Sequence, residues 1–360
     1  MAAGMEWASL NATTLNALTA NVGFRNEWGT CCSGLSELLG GKVATPAELA
    51  QDYHALFSTF WSTQASSLEP ACIVKPTTKG DVAVSICTLN VAQTLFPGEA
   101  GCQFAVRSGG HTPAAGSASI ASGVLIDLTN LNHIEVAPDR SAVRIGPGSR
   151  WGDVYSALET EGLGTYGFVC DNVQNFEVAL ASGEIVNANA TSNPSLWCAL
   201  KGGSSNLGIV TSFTLAAFEL PEGKIWGGTL VLEASYVSEA LSAFAEIADA
   251  PDYDTSAALI VAACWQAEHN AWFILFNLEY TEPVEPLGIS DRLASLPSMV
   301  NTLRVNSIAN ISWDMALTAP NGRRQLFATV TFKVIEELLR YIWEVSQDMT
   351  KGLETVANSQ

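Results

Sequence analysis

The stretch that most restricts the fold is "CQFAVRSGGHTPAAGSASIASGVLIDLTNLN", residues 102–132. Two apolar runs, "CQFAVR" and "GVLIDLTNLN", bracket a loop of glycine and small polar residues. Upstream, a third run, "ACIVKP", is stopped by Pro76. After Pro76, Thr77 or Thr78 can cap a helix that runs to about Gln93, with Val82, Ile86 and Leu89 on one face. Strand–helix–strand of this kind predicts a small parallel unit. Its loops gather at the carboxyl ends of the strands, where ligands bind.

The residues after this unit carry a different pattern. "SAVRIGPG" reads as a strand closed by a Pro-Gly turn, and Ser149 can cap the helix "RWGDVYSALETEG", ended by Gly162. "NFEVALASGEIVNANA" reads as a hairpin turning at Ser182-Gly183, "PSLWCALKGG" as a short helix, and "GIVTSFTLAAF" as a strand. Residues 165–218 therefore lean antiparallel. Beyond them come a strand "IWGGTLVLE", an amphipathic helix "SYVSEALSAFAEIA", two long strands "AALIVAACW" and "AWFILFNLEY", and a helix from Ile335 to about Met349. The fold class expected is α+β, with a first domain over 1–220 and an antiparallel sheet with helices over 221–360.

Composition removes several functions. With 36 acidic against 17 basic residues the net charge is −19, which repels phosphate backbones and anionic bilayers, so neither nucleic-acid nor membrane binding is expected. No apolar run reaches the length of a membrane span. The first residues lack the basic start and apolar core of a signal peptide. Three glycosylation sequons, at Asn11, Asn189 and Asn310, leave the compartment open. None of the eight cysteines falls in a zinc-type spacing, so no metal site is expected; a disulfide from Cys31 or Cys32 to Cys72 is.

Only four histidines are present, and one, His111, lies in the glycine loop. Glycines let backbone amides approach an anion, and Arg107, Ser108, Thr112 and Ser117 add charge or hydroxyl donors. The phosphate loop GxxxxGK[ST], a helix-opening GxGxxG and the nucleophile elbow GxSxG are all absent.

In order along the chain, four stretches resemble the berberine-bridge-like, vanillyl-alcohol-oxidase-type FAD-linked oxidases. They are "CCSGL…YHALFSTFWS…ACIVKP", as in fungal members, "FAVRSGGHTPAAGSASIASGVLIDLTNLN", "RIGPGSRWGDVYSALETEGL", and "YGFVCDNVQNFEVALASGEIVNANATSNPSLWCALKGGSSNLGIVTSF". The resemblance implies a PCMH-type FAD-binding domain with a flavin loop at 105–117, followed by a substrate domain. His111 would join covalently to the flavin 8α position. Arg107, Ser108, Gly109 and Gly110 would hold the pyrophosphate, with Gly116 and Ser117 at the far end, and Gly208, Ile209 and Val210 would reach the adenosine side. The loop from Arg107 to His111 would be exposed and line the cleft between two sheets. The implied activity is oxidation of a small organic molecule in fungal secondary metabolism, with oxygen as electron acceptor.

Two departures accompany the resemblance. "EGLGTYGFVCDN" joins directly flanks that the family separates by a glycine-rich segment covering the flavin, and Cys170 belongs to that flank, not to a flavin bond. The family's late Tyr-x-Asn motif is absent, so the substrate domain reads as C-terminally truncated and no catalytic base is named. The alternative reading is a degenerate or non-redox homologue, or an incomplete gene product, with impaired FAD binding. The family is commonly secreted, but this chain carries no visible address.

Overall fold

The computed structural model describes residues 16, 29–45, 55–95, 102–165, 169–220, 223–266, 269–286, 288, 291–317, 320–325 and 329–351. The chain divides into two compact units. The first comprises Met1–Val154, Gly164–Phe218 and Arg324–Leu326. The second comprises Tyr155–Leu163, Glu219–Arg323 and Phe327–Gln360. Asn11 and the N-terminal residues read for a leader lie outside the described residues.

The first unit opens with α1 (Gly29–Leu39), β1 (Val43–Ala44) and the single-turn α2 (Thr63–Ser66). Then come β2 (Cys72–Val74), α3 (Lys79–Leu95), β3 (Phe104–Arg107) and β4 (Val124–Asp127). These strands form one sheet in the order β1-β2-β4-β3, with β2, β4 and β3 parallel and β1 antiparallel to β2. The expected parallel unit is therefore present. Its helix starts as the sequence implies: the Asp81 amide donates to Thr78 Oγ1 at 3.2 Å, and the Asp81 carboxylate accepts from the Thr77 and Thr78 amides at 2.9 Å. Burial pushes Asp81 up, but Lys42 at 2.7 Å and the Thr77 and Thr78 bonds outweigh it and hold the carboxyl below its ordinary value.

Cys32 pairs with Cys72, one of the two alternatives expected, and Cys31 pairs with Cys102, a bond the sequence did not suggest. Adjacent cysteines on α1 are thus tied to β2 and to the segment entering β3. The core between them is apolar, with Leu35, Val74, Val82, Leu89 and Ile126 fully enclosed.

A second sheet, antiparallel throughout, has the order β5-β6-β10-β8-β9. Its strands are β5 (Ile134–Val136), β6 (Ala142–Ile145), β8 (Val173–Ala179), β9 (Ile185–Asn189) and β10 (Ile209–Ala216). Helix α4 (Trp151–Thr160) leads to β7 (Leu163–Gly164), and α5 (Pro194–Leu200) joins β9 to β10. The β8–β9 hairpin turns at Ser182-Gly183 with Gly183 at φ 86°, which explains the glycine. The Ser149 hydroxyl, just ahead of α4, donates to the His133 carbonyl at 3.5 Å.

In the second unit, after β11 (Phe218–Glu219) at its boundary, β12 (Lys224–Glu233) leads to α6 (Val237–Ala248), β13 (Ala257–Gln266) and β14 (Ala271–Tyr280). Short α7 (Asp291–Ala294), β15 (Ser298–Asn301), β16 (Arg304–Ser307), α8 (Ile308–Ala316) and α9 (Glu336–Thr350) complete it. The sheet is antiparallel, ordered β13-β14-β12, with β15 and β16 both pairing to β12. Leu230, Leu232, Ile274, Phe276 and Leu278 form one buried core with Ala240 and Ala243 of α6. Each such large side chain contributes about 1.5–3 kcal/mol by leaving water. The architecture is α+β, as the sequence implied.

Candidate functional site

Strand β3 delivers the glycine loop, and the loop's base is ionic. Arg107 is the register partner of Asp127 on β4. Neither side chain is exposed, and Arg107 Nη1 lies 3.6 Å from Asp127 Oδ2. The guanidinium also sits 4.3 Å from the centre of the Phe60 ring and donates to Thr59 Oγ1. Burial lowers the Arg107 pKa from its ordinary value, opposed by the Asp127 charge. The expectation of an exposed loop offering the Arg107 charge to a ligand is therefore corrected. The side chain points into the interior, where desolvation demands the Asp127 counter-charge.

What Arg107 supports is Gly110. That residue has φ +70°, and a Cβ there would lie 2.9 Å from Arg107 Nε and 3.4 Å from Phe60. The loop folds back over the guanidinium because position 110 has no side chain. A Cβ on neighbouring Gly109, by contrast, would meet nothing within 4 Å. His111 is exposed and its ring stacks on Trp61. Gly116, at φ +86°, and Ser117 are exposed farther along.

Ser108 is exposed, donates to the Pro147 carbonyl, and lines a cleft of about 480 Å³. Gly208, Ile209 and Val210 line the same cleft from the start of β10, with Val106 from β3 and Phe213 farther along β10. Gly208 has φ +135°, and a Cβ there would lie 2.7 Å from Val178 and 2.8 Å from the Ala179 carbonyl, so the chain can pass there only as glycine. A smaller hollow of about 200 Å³ shares Ser108, Pro147 and Phe213 with the cleft. The structure thus brings Ser108 together with Gly208–Val210 across the gap between the two sheets. Arg107, Gly109, Gly110, His111, Gly116 and Ser117 do not line that cleft.

Among the described residues, the lining of the cleft carries no charged side chain. An anion held here would meet backbone amides, the hydroxyls of Ser108, Ser204 and Ser205, and the Asn206 and Asn90 amides. Apolar walls from Ile86, Phe104 and Leu128 suit a flat ring. This combination fits a dinucleotide. Sequence reasoning missed Ser204–Asn206, although the polar glycine run "GGSSNLG" was a signal for them. It also missed Asp127 and the 59–62 segment, whose pairings are long-range. Among the described residues no group of acidic, cysteine and histidine side chains could hold a metal ion, and no helix is long and apolar enough to cross a membrane.

Residues 70–165 match the model of an FAD binding domain. The FAD-dependent monooxygenase CTB5 of Cercospora beticola is 31% identical, the match covering 94% of this chain and 72% of that protein. Its 386 aligned positions exceed this chain's 360 residues, so the relative carries residues inside the aligned span that have no counterpart here. The FAD-dependent monooxygenase sdcF of Emericella nidulans is also 31% identical, over 86% of this chain and 68% of its own. Among solved structures, xylooligosaccharide oxidase from Myceliophthora thermophila superposes with a TM-score of 0.65 at 19% identity, over 91% of this chain and 73% of that one. 6-Hydroxy-D-nicotine oxidase from Arthrobacter nicotinovorans gives 0.62 at 22%, over 77% and 64%. The structures show the fold; the sequence relatives show the family. The chain belongs to the family of these fungal FAD-dependent oxidoreductases.

Proposed function

We propose that this protein binds FAD between its two N-terminal sheets, oxidises a small organic molecule in fungal secondary metabolism, and passes the electrons to dioxygen. The observation that carries the reading is the meeting of Ser108 with Gly208, Ile209 and Val210 in one uncharged cleft. Ser108, Ser204 and Ser205 and the glycine backbone would hold the pyrophosphate, while Phe104 and Leu128 would exclude water beside it. Bound FAD supplies a two-electron acceptor for a substrate hydride. His111, on the same loop but outside this cleft, supplies the imidazole nitrogen for covalent attachment.

The experiment is reconstitution, then oxygen consumption with candidate phenols, alcohols and sugars. Stoichiometric peroxide supports oxidase chemistry. Oxygen-18 from dioxygen in the product supports monooxygenation, as the names of the fungal relatives imply for those proteins. The second reading, weak flavin retention, is favoured by the relative's additional aligned positions and by the direct junction at 163–169. A chain that folds but stays colourless with FAD supports it.

A further inference from the structure

We propose that Trp61 is a positioning residue that aims His111 for attachment of the flavin, an inference that rests on the reading of residues 105–117 as a flavin loop. The indole lies face to face with the imidazole, with ring centroids 4.4 Å apart and planes within 7°. An imidazole's nucleophilic lone pair lies in the plane of its ring. Fixing the plane therefore fixes the direction in which the nitrogen attacks.

The same short segment clamps the backbone on both sides of His111. The Trp61 amide donates to the Gly110 carbonyl at 3.1 Å, and Ser62 Oγ donates to the Thr112 carbonyl at 3.1 Å and the Pro113 carbonyl at 3.3 Å. Ser62 is fully buried and caps α2 through the Ala65 amide. One residue before Trp61, Phe60 covers the Arg107 guanidinium. An exposed histidine on a glycine loop would otherwise exchange among rotamers. Here that entropy is lost before any ligand arrives.

Trp61 stands apart from the apolar cluster formed by its neighbours. Its neighbours Phe57 and Phe60 belong to the apolar cluster with Ile73, Ala105 and Leu125, whereas Trp61 does not. Its indole N–H is enclosed and has no hydrogen-bond partner among the described residues. Its ring face stacks on His111.

In the attachment step a bond forms between an imidazole nitrogen and the 8α carbon of the isoalloxazine. A methyl C–H and the imidazole N–H break, and both protons leave to water. The methyl C–H electron pair enters the ring system, and dioxygen takes it up, with two protons, as hydrogen peroxide. Trp61 forms and breaks no bond; through the face of the imidazole it sets the angle of approach.

The test uses the full chain produced with FAD, as wild type, W61F, W61L and H111A. Two quantities are read: flavin bound to the native protein, and flavin kept in the pellet after acid precipitation. Wild type should keep its flavin in the pellet and H111A should keep none. W61L should lower the pelleted share roughly tenfold at similar bound flavin, and W61F, whose ring still stacks, should restore most of it. An undiminished pelleted share in W61L overturns the role of Trp61 and leaves the His111 reading standing. Wild type that binds flavin but releases it on precipitation overturns the covalent role of His111, and wild type that binds none overturns the flavin reading; either outcome takes the inference with it. If W61L does not fold, W61M takes its place and is read by the same two quantities; an undiminished pelleted share there likewise overturns the role of Trp61.

Discussion

Arg107 and Asp127 stand side by side at the ends of parallel strands β3 and β4, with their charged groups 3.6 Å apart and neither exposed to solvent. Arg107 Nη1 and Asp127 Oδ2 have no hydrogen-bond partner among the described residues, so each charge depends on the other for compensation. Asp127→Ala should cost about 3–5 kcal/mol by stranding the guanidinium. Replacing both, as in Arg107→Met with Asp127→Leu, should cost less than either single change. Urea denaturation of the three variants checks this, and a double mutant weaker than both singles contradicts it.

Adjacent Gly109 and Gly110 should respond differently to a methyl group. Gly110 has φ +70° and its Cβ would crowd Arg107 Nε at 2.9 Å, whereas Gly109 faces open space. Gly110→Ala should lower stability by about 1–3 kcal/mol and Gly109→Ala by less than about 1 kcal/mol. Equal urea midpoints for the two variants would show that the loop does not rest on Arg107.

Glu279 gives a pH dependence of definite sign. It sits on β14 between Gly227 of β12 and Ala258 of β13, and burial raises its carboxyl from 4.5 to about 6. A folded-state value above the unfolded one means that the protonated carboxyl stabilises the protein below pH 4.5. That contribution disappears as the pH rises through about 6. Above that range the ionised group costs about 2 kcal/mol or less, so Glu279→Gln should raise the melting temperature at pH 8 and change it little at pH 4.5. A variant with the same melting temperature as wild type at pH 8 contradicts the assignment.

The two disulfides close long loops, with 71 residues separating Cys31 from Cys102 and 40 separating Cys32 from Cys72. Removing either should cost about 2–5 kcal/mol. Thermal melts with and without reductant measure this, and an unchanged midpoint once free thiols confirm reduction would show that α1 does not depend on its tethers.

Much of the fold was legible because local signals were strong. Thr77 or Thr78 announced the start of α3, Ser182-Gly183 the β8–β9 turn, and the spacing of Val82, Ile86 and Leu89 the buried face of the helix. What stayed hidden was non-local. Nothing in "CQFAVR" says that Arg107 will turn inward, because its partner is 20 residues away on β4 and its aromatic cover 47 residues upstream. Short β15 and β16 gave no signal of their own, since "SMVN" and "RVNS" pair on β12 only because that strand offers them an edge. Cys31 and Cys32 are adjacent, so spacing could not divide their partners between Cys72 and Cys102. The site obeyed the same rule: Gly208 was found through its motif, whereas Trp61 was visible only as part of a lead-in.

The central claim is that FAD lies in the cleft where Ser108 faces Gly208–Val210. Equilibrium titration of the purified chain with FAD, then desalting and a visible spectrum, addresses it directly when run beside Ser108→Trp. Wild type should retain close to one flavin per chain, and Ser108→Trp, a change at an exposed position of the cleft lining, should remain folded by circular dichroism but lose the yellow band, because its side chain would fill the cleft. A colourless wild type, or a folded Ser108→Trp that holds as much flavin as wild type, would contradict the account.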